Sequence, residues 1–345
     1  MNAGSLVEAR PSVLADTIVQ SVDAALAKAA ESRRFTIARA VVDMTADHDA
    51  ARFLLDAFHH LETSRNSVAP DLDIAVAALR ERDAAALGLD EIADSGVVVA
   101  EEQTVVHLHR HSAVVFDRAA GRIHALIRNE NGVASWQRAK PLQLPLSIFF
   151  ADRGVDLVHG GLVSLRGNGV LIAGMGGSGK STLAVASLLS GLDFLADDCA
   201  GVEHVGHRFE GSSIFGSGCL ERVHLQRFPD LAATLADVFT DATQPKAVLP
   251  MARLFAGRMA ATTNIRAIVL PRVTGGADVT LRPASGKEAL LALAPSSILK
   301  RAVPAAGALA RMARMARELP VFRLEMGPID EAGARIRALL GELGS

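Results

Sequence analysis

Apolar positions along this chain recur with two periods, one near 3.6 residues and one of 2, and the switches between them divide it into helices and strands. Val13, Leu14, Ile18, Val19 and Val22 recur at helical spacing among alanines, predicting a helix from residue 1 to about 33. Residues 35–44 predict a strand, 47–61 a helix, and 73–79 a further strand or short helix. Residues 104–115 and 122–128 predict two strands of a hairpin, joined through the turn at 117–121. The polar run at 129–132 predicts a domain boundary. Beyond it come a short helix at 146–151, one strand-like segment at 155–165, a turn at 166–169 and an apolar strand at 170–173. A helix-forming run follows from Thr182, and then a short strand at 192–196. Residues 222–235 are helical but broken by Pro229, and 265–270 form a buried strand bounded by Pro271. A strand at 279–282, short helices at 288–293 and 298–303, and an amphipathic helix at 330–343 complete the pattern. Alternating strands and helices of this kind make an α/β protein.

Composition narrows the picture. A chain of 345 residues favours two domains. We expect a smaller N-terminal α/β domain at 1–135, supporting or recognising a substrate, and a second domain at 136–345. With 50% hydrophobic and 21% charged residues there is ample core material. A net charge of −2 argues against general nucleic-acid affinity, which needs a concentrated basic surface. Glu8 and Asp16 precede any apolar run, so no secretory signal is expected. No apolar stretch approaches the ~20 residues of a membrane span. With two cysteines, Cys199 and Cys219, no disulfide framework or zinc site is expected, and the expected location is the cytoplasm.

The chemistry concentrates in one stretch. Gly174-Met175-Gly176-Gly177-Ser178-Gly179-Lys180-Ser181-Thr182 is a complete Walker A sequence, preceded by a strand and followed by a helix. Its glycines let successive backbone N–H groups point inward at phosphate oxygens, and the positive helix end faces the same way. Lys180 would reach the β- and γ-phosphates, and Ser181 would offer its hydroxyl to Mg²⁺. Asp197 and Asp198 end the next strand, where one carboxylate can serve the metal and the other accept a proton from a hydroxyl. ATP and Mg²⁺ are the expected ligands.

Other candidates are weaker. A second glycine- and serine-rich turn begins at Ser212 and lies either near the acceptor or in an ordinary loop. His107, His109 and His111 alternate along a predicted strand, which favours a polar sheet face over a metal site. His59 and His60 suit the end of a helix. Arg311, Arg314 and Arg317 share one helical face, expected to be solvated.

Residues 159–202 resemble the catalytic domain of HPr kinase/phosphorylase and its wider family, which shares a superfamily with ATP-dependent phosphoenolpyruvate carboxykinase. The resemblance rests on four features in order: His159-Gly160, a strand–turn–strand, the loop Gly174 to Ser181, and Leu195-Ala196-Asp197-Asp198. It implies an HPr-kinase/PEP-carboxykinase-like P-loop domain, with Lys180 at the phosphates and Ser181 and Asp197 at Mg²⁺. It further implies Asp198 as general base, with His159 beside the aspartate pair. The family's Glu after the loop serine is Thr182 here, and its Glu-x-Arg-Gly segment and basic loop are missing. Lys246, Arg253, Arg258 and Arg266 lie in the corresponding portion as candidates to neutralise transferred charge. The implied activity is transfer of the ATP γ-phosphoryl group to a hydroxyl, foremost a serine of a protein or peptide, and not HPr itself. The alternatives are a small-molecule alcohol kinase and a nucleotide-dependent regulatory ATPase. A homo-oligomer is implied by the family's hexamers.

Overall fold

A computed structural model describes residues 11–93, 96–128, 133, 135–235, 246–297 and 306–344. The protein is mixed α/β and divides into two compact units, Met1–Phe149 and Phe150–Ser345. The polar run at 129–132, the predicted helix at 298–303 and residues 1–10 of the predicted first helix lie outside the described residues.

The strands of the first unit are β1 (Glu31–Ile37), β2 (Ala40–Ala46), β3 (Glu62–Thr63), β4 (Leu72–Ala78), β5 (Val97–Glu101), β6 (Thr104–His109), β7 (Ser112–Asp117) and β8 (Arg122–Ile127). They form one sheet in the order β3-β1-β2-β4-β8-β7-β6-β5. The pairs β2–β4 and β4–β8 are parallel. Helix Pro11–Leu26 lays the stripe Leu14, Ile18, Val22 and Ala25 onto this sheet, against Val106, Leu108, Val115 and Leu126. It ends earlier than its alanines predict, because the chain from Glu31 is taken up by β1. The single strand predicted at 35–44 is a hairpin, turning at Ala38 and Arg39 with φ of 44° and 68°. The predicted strand at 104–115 likewise reverses, giving β6 and β7.

The helix predicted at 47–61 spans His48–Asp56, and residues His59–Leu61 form a 3₁₀ turn. The Asp47 side chain starts it by accepting from the Ala50 N–H at 2.8 Å, and it also accepts from the Ala78 N–H at 2.8 Å. The expected polar histidine face is corrected to a packed one. His109 is buried, His111 lies in the β6–β7 turn, and their rings are 5.5 Å apart. Burial, assisted by His109, lowers the His107 pKa to about 4.

The second unit contains β9 (Asp156–Val158), β10 (Gly160–Leu165), β11 (Asn168–Ala173), β12 (Asp193–Ala196), β13 (Ala200–Val205), β14 (Arg208–Ser213), β15 (Gly218–Glu221), β16 (Lys246–Leu249), β17 (Thr262–Val273), β18 (Thr280–Ala284) and β19 (Val321–Met326). The main sheet runs β12-β10-β11-β17-β14-β13-β9, with β19 also on β17 and β18 on β19. β15 and β16 form a separate antiparallel ribbon. Helices Lys180–Leu189 and Ile329–Leu343 supply one apolar layer, through Leu183, Val185, Leu188, Ile336 and Leu339 among others. They approach closely at Gly333, where a Cβ would run into the Ala186 carbonyl oxygen. Helices Gly286–Ser297 and Ala308–Glu318 supply the opposite layer, through Leu293, Met312 and Met315.

Three sequence expectations change here. The segment 155–165 is two strands, because β9 pairs with β13 whereas β10 pairs with β11 and β12. Pro271 lies inside β17, not at its end. The Ile268 N–H faces the β19 side, so position 271 faces the opposite edge, past the last β11 partner at Val269. No ladder bond is lost there. Of the three arginines expected on a solvated face, Arg314 and Arg317 are exposed, whereas Arg311 is half-buried and grips buried Asp156 through two bonds of 2.6 and 2.9 Å. Pro229 does break its helix, as expected, by occupying the first position of Pro229–Leu235.

Candidate active site

Strand register brings the candidate residues to one edge. Gly160 pairs with Ala173, and Leu162 pairs with Ala196. Three adjacent strands therefore release the chain on the same side: β10 just after His159, β11 just before Gly174, and β12 just before Asp197. That alignment follows from antiparallel pairing of β10 with both neighbours.

The loop at 174–179 bends between β11 and helix Lys180–Leu189, with Gly177 and Gly179 in the left-handed region at φ of 78° and 97°. A side chain at Gly179 would be strained and would press on Met326 and Val273, so only glycine fits. The loop closes on itself through the Ser178 N–H bond to the Met175 carbonyl. The first turn of the helix, at Lys180, Ser181 and Thr182, has N–H groups without intrahelical acceptors, as every helix start has. Met175, Gly176 and Gly177 are exposed, Ser178 and Ser181 are half-buried, and Thr182 is buried.

Lys180 is 6% exposed. Its ammonium donates to the carbonyls of Gly174 and Met175 at 2.8 and 3.0 Å. Burial lowers its pKa, Asp198 and then Asp197 oppose that, and Lys246 adds to it. The aspartates thus act on Lys180 through their field, while its hydrogen bonds go to the loop.

Asp197 is 5% exposed and accepts from the Cys219 N–H at 2.9 Å. Asp198 has φ of 67°, a conformation disfavoured for residues with a Cβ and tolerated best by Asn and Asp. Its Oδ1 stands 3.6 Å from His159 Nε2, within ion-pair reach and beyond a direct hydrogen bond. The His159 backbone N–H donates to buried Ser297 Oγ at 2.9 Å. The sequence did not point to Cys219, Ser297 or β15 as supports. Its only signal was the serine- and glycine-rich run from Ser212. That run is no surface turn: Ser212 and Ser213 end β14, Ile214 and Phe215 are buried, and Gly218-Cys219 abuts Asp197. Of the basic candidates, Arg258 donates to the Gly191 carbonyl and Arg266 to that of Leu343, whereas the Lys246 charge reaches Lys180.

Among the described residues no group of three or more His, Cys, Asp or Glu could hold a metal ion. Mg²⁺ does not need such a cage, since it takes one or two protein oxygens alongside phosphate and water. A hydroxyl at Ser181 and a carboxylate at Asp197 are hard oxygen donors of that kind. No helix among the described residues is long and apolar enough to cross a membrane.

No protein-family model matches this sequence, and no curated protein matches it. Among solved structures, the chain is similar to the Hpr(Ser) kinase/phosphatase from Coxiella burnetii. That similarity is 13% in identity, covers 53% of this chain and 87% of the other, and has a TM-score of 0.30. Likeness at that level carries no argument about activity. The site's own geometry has more content: a glycine-rich loop with two left-handed glycines, a buried ammonium beside it, and a carboxylate pair with a histidine at the same sheet edge. Such an arrangement can hold a polyphosphate and accept a proton within its reach.

Proposed function

We propose that this protein is an ATP-dependent kinase that transfers the γ-phosphoryl group to a hydroxyl, with serine of a protein or peptide the favoured acceptor. The observation that carries this reading is the shared sheet edge of His159, the loop before Lys180, and Asp197-Asp198. The loop amides and Lys180 bind the triphosphate, the ammonium exchanging its carbonyl partners for phosphate oxygens. Asp198 accepts the acceptor's proton as the new P–O bond forms and the γ-P–O bond to ADP breaks, with ADP leaving on that electron pair. His159 stands 3.6 Å from Asp198 and helps place the acceptor hydroxyl beside it. The Cys219 amide fixes Asp197 in orientation. Mg²⁺ at Ser181 and Asp197 would neutralise charge on the phosphates. The N-terminal domain is assigned to acceptor recognition or support.

The test is to incubate the purified protein with γ-labelled ATP, Mg²⁺ and lysate from its source, then separate macromolecules from small molecules. Label in a discrete protein or peptide band, missing with Lys180→Ala, is the expected result. Label confined to a low-mass organic product would replace this reading with an alcohol kinase. Release of free phosphate alone would replace it with a regulatory ATPase.

A further inference from the structure

The proposed nucleotide has a direction on this loop. Lys180 reaches the carbonyls of Gly174 and Met175 and feels both aspartates, so the γ end lies there. The α-phosphate then falls on the first turn of helix Lys180–Leu189, and the nucleoside leaves past Gly179. What stands at that exit is set by strand length. β17 pairs with β11 as far as Val269, opposite Ile172, and then continues for four residues to Val273 beside β19. Val273 pairs with Met326, the last residue of β19, and both side chains occupy the space that a side chain at Gly179 would need. A Cβ added to Gly179 would lie 3.1 Å from Val273 Cγ2 and 2.6 Å from Met326 Cε.

Met326 is buried, yet Val273 is 47% exposed. A β-branched apolar residue with an open face, over a buried methionine and beside a phosphate loop, forms a small apolar shelf. The chain after it holds the rim in place. The Thr274 hydroxyl donates to the Met326 carbonyl, and the Gly276 N–H donates back to the Thr274 hydroxyl, both at 3.4 Å. Gly327 lies against the carbonyls of Asp278 and Gly276 at a distance that leaves no room for a side chain.

We infer that the nucleobase lies with its flat face on Val273, at the end of the nucleotide opposite Asp198, and that this shelf supplies affinity without reading the base edge. The inference rests on the nucleotide reading above and adds the base subsite to it. A face-on aliphatic contact is indifferent to the exocyclic groups that distinguish adenine from guanine. ATP and GTP are therefore expected to bind within a few-fold of each other, and both more tightly than tripolyphosphate, which has no base.

The experiment is calorimetric titration of the full chain with Mg²⁺ plus ATP, GTP or tripolyphosphate, for wild type, Val273→Asn and Val273→Leu. Because Val273 is exposed, these variants keep the fold, and circular dichroism checks it. Val273→Asn should weaken ATP and GTP about fivefold, as expected for a partly buried aliphatic contact, and leave tripolyphosphate unchanged. Val273→Leu should restore both nucleotides. Unchanged ATP affinity in Val273→Asn, or equal loss for tripolyphosphate, would overturn the shelf while leaving the phosphate site intact. A preference between ATP and GTP of more than ~100-fold would overturn face-only recognition, because it requires base-edge contacts. Failure of wild type to bind any of the three would overturn the nucleotide reading and the shelf together.

Discussion

Each of the two units buries a cation, and they handle it in opposite ways. In the first, the Arg34 guanidinium donates to both oxygens of Asp43 at 2.7 and 2.8 Å, to the Asn66 side chain, and to the carbonyls of Asn66 and Val68. All three guanidinium nitrogens donate to fixed partners, so this cation ties β1 and β2 to the 66–68 loop. In the second, Lys180 has two carboxylates acting on it and hydrogen-bonds to neither, donating instead to its own loop's carbonyls. A buried charge closed by an ion pair is scaffold. One resting on neutral carbonyls can be handed to an arriving anion with little loss, because carbonyl bonds are weaker than bonds to phosphate. Substitutions of the two cations should therefore separate stability from chemistry.

The largest effect is expected at Lys180. Lys180→Met should lower phosphoryl transfer about 10³-fold, the scale for removing a key donor to developing charge. It should leave the melting temperature unchanged or raised, since it removes a desolvated ammonium. Arg34→Met should do the reverse, lowering the melting temperature clearly while the remaining protein binds nucleotide normally, because it strands Asp43. Equal loss of stability in both variants would end the distinction. Next comes Asp198→Asn, which should lower transfer by about 10²-fold or more while ATP affinity stays within a few-fold. Asparagine tolerates the φ of 67° at this position, so the variant tests the proton acceptor rather than the backbone. Full turnover by this variant would remove Asp198 as base.

These contrasts were unevenly legible in the sequence. The loop from Gly174 to Ser181 was readable because its spacing is itself the geometry: each glycine and the lysine act on one local turn. The aspartate pair was readable from its place at the end of the strand after the loop helix, whereas His159 needed the family resemblance, since its meeting with the pair depends on strand register over some forty residues. The Cys219 amide that holds Asp197 was invisible, because any residue can supply a backbone N–H and only the β15–β16 ribbon selects this one. The same limit explains the fold-level differences. The turn at Ala38-Arg39 lacks the Gly or Asn that usually marks a left-handed hairpin. The apolar run at 155–165 gives no hint that its two halves pair with different strands. Pro271 looked like a strand end, yet its missing N–H falls where no neighbour requires one.

A third prediction concerns the first unit's histidines. Burial, with the neighbouring His59 and His109 respectively, lowers both His60 and His107 to about 4 from an ordinary 6.5. The unfolded chain takes up these protons from pH 6.5 downward, whereas the folded chain resists until about 4. Stability of this unit should therefore fall as pH drops from 6.5 to 4 and level off below, by at most about 3 kcal/mol for each histidine. Thermal unfolding followed across pH 4–7.5 measures the slope, and His107→Leu should flatten it. A slope of the opposite sign would mean that these rings are charged in the fold.

The smallest expected effect tests whether a single carboxylate in the first unit is scaffold in the same sense as the Arg34 pair. Asp47 accepts from the Ala50 N–H with one oxygen and from the Ala78 N–H with the other, joining a helix start to the end of β4. Asp47→Ala should cost about 1–2 kcal/mol, read as a lower urea midpoint at unchanged slope. Asp47→Asn separates two accounts of that loss. If Asp47 is only a helix cap, asparagine is as good a cap and the midpoint barely moves. If both oxygens matter, the amide NH₂ of asparagine confronts one of the two backbone N–H groups, and most of the alanine loss should persist. The structure requires the second outcome, with nucleotide affinity untouched in both variants.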